Sequence, residues 1–423
     1  MDAEGAGFRG RLTGATVVER TDFLIVGGGL AGVSAAEALR ALGVRGSVTL
    51  VSGEVDPPHD RPPLSKEFLR DEWPRERVLL HTIDFYQANR IRLLLGRPAL
   101  SLDLAARELL LADGETIGYR RLLLATGGRP RKLGVPGETL PGIYELRTLA
   151  ESERIKEAAF EARRPMVVGA GFIGMEVAAS LATRGLPMTV LNMDDRMWPT
   201  IMPAEVAALI QADFEARGVR FHHRTRVTSF EGKDRLELVC ADAGDFEADM
   251  AIVGAGIQLN TELAVVAGLA VNGGIVVDEY LETSAPGVFA AGDVANFPDP
   301  LGGRRHIEHW DNAIAQGRVA AANMAGQRAS FQHVPYFWSD LFNMTINVVG
   351  FLDNVEEFVF RGELESRKFT ILCLRGGALR GALLVNRARD RRPLTELIKH
   401  QTPIVDRRVD LADPSFDPAS LIG

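Results

Sequence analysis

The sequence predicts an α/β chain made of two dinucleotide-binding βαβ units followed by a C-terminal α+β domain. Three observations carry this. An apolar run, a glycine turn and an alanine-rich helical stretch follow one another in DFLIVGGGLAGVSAAEALRALG, and the same grammar returns about 140 residues later in RPMVVGAGFIGMEVAASLATRG. Two further apolar strands end in glycine, RLLLATGGRP and DMAIVGAG, and each closes one unit. From about Gly326 the pattern changes to alternating strand-like runs such as NVVGFL and FTILCL, with a helix near Pro393 to Lys399.

In chain order, residues 1–20 read as a flexible lead. Residues 21–130 form the first nucleotide unit, with its second strand at Val48 to Val51. Residues 131–254 form the second, whose second strand runs from Met188 to Leu191. The segment GGIVVDEYLETSAPGVFAAGDVANF and a helix over Asn312 to Met324 return the chain to the first unit across residues 255–325, and 326–423 are the C-terminal domain.

A chain of 423 residues has room for two to four domains, and 46% hydrophobic with 25% charged residues supports packed cores throughout. With 48 basic against 56 acidic side chains the net charge is −8, and no block of Lys and Arg appears, so nucleic acid is not the expected partner. No apolar stretch of about 18 residues exists for a membrane span, and MDAEGAGFRGRLTGATVVER lacks the apolar core of a signal peptide, which makes the expected location cytoplasmic. Cys240 and Cys373 form no C-x-x-C pair, so neither a dithiol relay nor a cysteine metal site is expected; His222, His223, His306 and His309 do not supply a metal set either.

Gly27, Gly29 and Gly32 fill the positions of G-x-G-x-x-G, where the first permits the tight turn, the second admits a pyrophosphate and the third lets helix and strand touch. The free N–H groups at the helix start then face the phosphates. Glu54, 22 positions after Gly32, is placed to bond a ribose hydroxyl pair. Gly169, Gly171 and Gly174 repeat the motif, but Asn192 stands where the ribose-binding acid is expected, with Asp194 two residues on and Arg196 beyond. An acid favours NADH and an arginine accommodates the phosphate of NADPH, so the residues leave both donors open, with Asp194 tilting the balance to NADH. Asp293, after the strand GVFAA, would hold a flavin ribityl hydroxyl or else cap a helix on ANFPD.

Taken in order, GGGLAG, DRPPLSK (Asp60 to Lys66), LLLATGGRPR, VVGAGFIGMEVA, IVGAG, GVFAAGDVA and PYFWSD (Pro335 to Asp340) resemble the flavoprotein pyridine nucleotide reductases of the glutathione reductase fold. More narrowly, they resemble the oxygenase-coupled ferredoxin reductases and the apoptosis-inducing factor group, from about Asp22 to the C-terminus. The resemblance implies two Rossmann-like domains, with FAD on the first unit contacted by Gly27, Gly29, Gly32, Glu54, Arg61, Lys66 and Asp293. It puts NAD(P)H on the second unit at Gly169, Gly171 and Gly174. It also implies that Lys66 lies near flavin N5 and pairs with Glu176, that Trp310 and Trp338 approach the flavin, and that Glu308 bonds the nicotinamide amide. The Glu308-His309 pair looks more like the apoptosis-inducing factor group.

With no dithiol, electrons must leave from the flavin itself, which takes a hydride pair and releases electrons singly. The expected function is therefore an NAD(P)H:ferredoxin oxidoreductase, with NADH-sensing and direct quinone or monodehydroascorbate-type reduction as the alternatives. The expected partner is a small iron–sulfur protein, and a homodimer is compatible with the reading. Arg304 with Arg305, and Arg387, Arg389, Arg391 and Arg392, are the candidate basic surfaces for it.

Overall fold

The computed structural model describes residues 18–299 and 303–422. Most of the expected flexible lead, residues 1–17, lies outside the described residues.

The first sheet is built around Glu19–Val26, which runs parallel to Val48–Val51 on one side and to Thr116–Leu124 on the other. Ile91–Leu94 extends it beyond Val48–Val51, and an antiparallel ribbon of Ala99–Asp103 and Glu108–Leu111 pairs with the start of Thr116–Leu124. The late strand Val288–Ala290 pairs in parallel with Leu122 to Leu124. One sheet is thus completed by segments more than 150 residues apart, and Asp293 is carried to the end of the strands where the first glycine loop lies.

A second, parallel sheet has the order Arg220–His222, Thr189–Leu191, Pro165–Val168, Met250–Val253, Ile143–Tyr144. Its middle strands are buried along their whole length, as required where helices cover both faces. Asp293 precedes the strand Ala295–Pro298, so its reading as a helix cap on ANFPD is corrected.

The third sheet is antiparallel, in the order Tyr336–Leu341, Met344–Gly350, Ala378–Val385, Phe369–Arg375, Glu357–Arg361. One face of FTILCL (Phe369, Ile371, Cys373) joins the core of the second unit, while Leu372 and Leu374 pack with Leu394, Leu397 and Ile398 of the helix Arg391–Lys399. The helix Trp310–Met324 begins two residues earlier than the sequence pattern indicates and crosses Leu30–Ala41 so closely that a Cβ on Gly317 would stand 2.4 Å from the Ala31 carbonyl oxygen. Trp310 stands at the start of that helix. Among the described residues no helix is long and apolar enough to cross a membrane.

Candidate active site

Gly27 adopts φ +125°, and a Cβ there would stand 2.1 Å from the Ala125 carbonyl oxygen, so the turn between the first strand and its helix admits only glycine. Gly29 is the N-cap of Leu30–Ala41 without a side-chain cap, and a Cβ on it would meet nothing nearer than the Arg61 guanidinium at 3.8 Å. The helix N–H groups therefore open onto free space. That space is a cavity of about 490 Å³ lined by Gly29, Arg61, Lys66, Asp293, Trp310 and Trp338 among others, and Glu176, Glu308 and His309 reach it too. A smaller recess beside it is lined by Gly28, Ser52, Glu54, His59 and Arg61.

Sequence reasoning missed Arg147. The box of Thr148 and Glu151 fixes the start of the helix Leu149–Ala158, and the Arg147 N–H bonds Glu151 at 2.8 Å. The guanidinium is thereby presented to Asp293, which it meets at 2.5 Å inside the cavity, with its Nε buried and unpaired. Arg61 lies 3.5 Å from Glu54. Burial, and then repulsion from Arg147, bring Arg61 down to about 10 against the pull of Glu54 and Asp293. Two guanidiniums held in mutual repulsion beside a free helix N-terminus fit the diphosphate of a dinucleotide, and the residues present thus fit FAD.

Lys66 follows the turn Pro62–Ser65, and its Nζ lies 3.3 Å from Glu176 Oε1 on the helix Phe172–Thr183 of the second unit. Ser65 Oγ donates to Glu176 Oε2 at 2.5 Å and Ser339 Oγ to Oε1 at 2.8 Å. Burial raises the Glu176 carboxyl above the usual range, and Lys66 and the two serines oppose it. Both serines lay within motifs already singled out, RPPLSK and FWSD, but only their neighbours were given roles. The Lys66 ammonium also stands 5.6 Å from the Trp338 ring centre.

Trp310 and Trp338 meet edge to face at 5.7 Å, and Trp310 Nε1 donates to Asp60 at 2.7 Å, so the first residue of DRPPLSK fixes a cavity wall. Burial raises the Asp60 carboxyl, against the hydrogen bond from Trp310. Burial also lowers His309 to about 4, against the nearby carboxylates Asp293, Glu308 and Asp311; its Nδ1 has no partner and its ring lies 4.5 Å from that of Phe337. Glu308 is half-exposed and holds His306 at 3.4 Å. Among the described residues no cysteine lines the cavity.

In the second unit, a Cβ on Gly169 would stand 2.5 Å from the Gly254 carbonyl oxygen and one on Gly174 2.2 Å from that of Gly169, whereas Gly171 faces open space. Asn192 turns its amide nitrogen into the loop that follows the strand. It is buried, and its amide donates to the Arg196 carbonyl at 2.9 Å and to His223 Nδ1 at 3.2 Å, so it holds the loop together. Asp194 is exposed, and Arg196 is tied to Asp195 and to the Pro199 carbonyl.

The candidate basic surfaces are partly bonded into the fold. Arg304 bonds the Val277 and Asn296 carbonyls, Arg305 bonds Asp299 and Asp353, and Arg387 is buried on Asp390. Arg391 lies over the Tyr336 ring at 4.4 Å. Arg305 and Arg387 are thus spent inside the fold, whereas Arg304, Arg391, Arg392 and Arg389, the last largely exposed although it touches Asp390, still present charge outward.

Residues 21–317 match the family described as pyridine nucleotide-disulphide oxidoreductase, and residues 336–422 match the reductase C-terminal family. The chain is 36% identical to rhodocoxin reductase of Rhodococcus erythropolis over 397 residues, 93% of this chain and 92% of that protein. The ferredoxin reductase for the CYP199A2 system from Rhodopseudomonas palustris superposes with a TM-score of 0.91 at 33% identity, over 95% of this chain and all of that one. The reductase in the covalent putidaredoxin reductase–putidaredoxin complex gives the same TM-score and identity, over 95% of this chain and 98% of that one.

Proposed function

The chain belongs to the pyridine nucleotide-disulphide oxidoreductase family, and on that premise we propose that it is an FAD-dependent NADH:ferredoxin oxidoreductase that delivers electrons singly to a small iron–sulfur protein. The observation that carries this is the buried Lys66–Glu176 pair, which joins the first glycine unit to the helix of the second inside a cavity that no described cysteine lines. Residues 21–130 with 255–325 form the FAD-binding part in this reading, 131–254 the NADH-binding part and 326–423 the C-terminal domain.

FAD, when bound, takes two electrons as a hydride and yields them one at a time. The chain's own residues do the rest. The N–H groups after Gly29, with Arg61 and Arg147, would bind the diphosphate, and Asp293 would take a ribityl hydroxyl. Lys66 sets a positive charge where negative charge grows on reduction, and Glu176, held by two serines, keeps that charge in place without reorganisation. Trp310, Trp338 and Phe337 wall the cavity and exclude water, which strengthens each of these interactions.

The test is NADH-driven cytochrome c reduction with and without a panel of small ferredoxins. Strong stimulation by one of them is expected. Negligible turnover with all of them beside rapid quinone reduction would replace this reading with a direct dehydrogenase.

A further inference from the structure

Two buried acceptors in the recess beside the first glycine loop have no donor. His59 is 6% exposed, and its Nδ1 lies 3.0 Å from the Pro57 carbonyl oxygen. An oxygen acceptor there fixes the hydrogen on Nδ1, so the neutral ring presents a lone pair at Nε2. That Nε2 is buried and unpaired, as is Glu54 Oε2. The two atoms stand 3.7 Å apart, beyond hydrogen-bond distance though within reach of an ion pair were the ring protonated, and with the ring neutral two lone pairs cannot satisfy each other. Nor does a donor of the chain come to them: Arg61 is on the other Glu54 oxygen at 3.5 Å, and the Ser52 hydroxyl takes the Glu54 N–H at 3.2 Å. His59 lines both the recess and the large cavity, at the junction between them.

We propose that His59 is a second ribose-binding residue, and that its Nε2 and Glu54 Oε2 together accept the hydrogens of the vicinal hydroxyl pair on the adenosine ribose of FAD. This rests on the reading that the first glycine unit holds FAD. A vicinal diol offers two O–H donors on neighbouring carbons, which is the pattern that two adjacent acceptors require. Such a site selects adenosine over deoxyadenosine and ties the residue before DRPPLSK to cofactor retention.

Asparagine reproduces the Nδ1 side of histidine and glutamine the Nε2 side, so two variants separate ribose binding from mere support of the Pro57 carbonyl. The holoprotein is diluted stepwise and released FAD is read by its fluorescence; bound FAD is then exchanged against analogues lacking the 2′- or the 3′-hydroxyl of the adenosine ribose. The wild type is expected to prefer FAD to at least one analogue by about tenfold. His59→Asn is expected to lose that preference and to bind FAD about tenfold more weakly, while His59→Gln keeps both within about threefold. The reverse order of the two variants, or His59→Asn with full preference and affinity, overturns the proposal. A FAD-loaded wild type indifferent to both hydroxyls does so as well, leaving only water at the acceptors, and this result is decisive even where His59→Asn does not fold. A wild type that binds no FAD instead removes the reading of the first unit on which the proposal stands.

Discussion

Lys66 Nζ and Glu176 Oε1 lie 3.3 Å apart with both side chains 4% exposed, although they come from different nucleotide units. Removing the cation leaves a carboxylate buried without its counter-charge, and the cavity loses the charge that meets reduction. Lys66→Met is therefore expected to slow flavin reduction by NADH more than about tenfold, or ~1.4 kcal/mol of transition-state stabilisation. Stopped-flow traces give the rate directly, and an unchanged rate would return the pair to a purely structural role.

Asp293 and Arg147 make a second link across the cavity, at 2.5 Å. Asp293→Ala is expected to weaken FAD retention, because a hydrogen bond to a charged group is worth about 1.5–3 kcal/mol, roughly ten- to a hundredfold in the dissociation constant. It also leaves the Arg147 guanidinium beside Arg61 without its carboxylate. Normal FAD content after gel filtration of the variant would take Asp293 out of the site.

The residues that sequence reasoning reached and those it missed differ in kind. Gly27, Gly32, Gly169 and Gly174 were legible because backbone sterics at a strand–helix turn leave a fixed spacing. Lys66, Glu176 and Trp338 were legible through the resemblance of whole motifs. Arg147 was not, because its partner Asp293 is 146 positions away and only the pairing of Val288–Ala290 with Leu122 to Leu124 brings them together. The partners of Asn192 were not legible for a related reason: the position of the ribose acid is set by strand length, but what an amide there bonds depends on His223, from the neighbouring strand's end. The carbonyl acceptors of Arg304 and Arg387 were not legible either, since a sequence does not show them.

His309 supplies a pH dependence. Its folded value of about 4 lies below the ordinary 6.5, so its neutral form is the one that packs. Stability from this group is fully present above pH 6.5 and is lost as pH falls toward 4, because the unfolded chain takes up the proton first. The contribution is at most about 3 kcal/mol. Thermal unfolding of wild type and His309→Phe across this range should show the wild type losing stability relative to the variant as the pH drops; a difference independent of pH would mean that the imidazole is not shielded.

Arg361 is 1% exposed and anchors the end of the chain: it bonds Asp390 at 3.1 Å and the carbonyls of Leu411, Asp413, Pro414 and Phe416. Burial pushes the Asp390 carboxyl up, but hydrogen bonds from Arg387 and Arg361 outweigh it and hold the group below the usual range. Arg361→Met is expected to cost about 3–5 kcal/mol, the scale for breaking a buried pair from one side. Limited proteolysis should then cut first near residues 411–416, and a melting temperature within error of the wild type would contradict this.

Nicotinamide preference follows from how the loop after Thr189–Leu191 is held. Asn192 Nδ2 faces three acceptors, the carbonyls of Arg196 and Asp194 and His223 Nδ1, and Gln211 Oε1 at 2.9 Å takes the hydrogen on His223 Nε2. Burial keeps His223 toward its neutral form, which preserves Nδ1 as an acceptor. Arg196 spends its guanidinium on Asp195 at 3.1 Å and on the Pro199 carbonyl at 3.1 Å, so a 2′-phosphate would meet the exposed Asp194 rather than a free arginine fork. NADH should therefore exceed NADPH in kcat/KM by about tenfold or more, ~1.4 kcal/mol of discrimination. Asn192→Asp, which would supply the missing ribose acid in a simple motif reading, should instead raise KM for NADH and lower the melting temperature, because it turns a donor into a carboxylate facing three lone pairs. Steady-state kinetics with both donors decides the matter: a tenfold advantage for NADPH in the wild type would show that Arg196 leaves Asp195 to bind phosphate, and a gain in NADH affinity in Asn192→Asp would show that residue 192 faces the ribose after all.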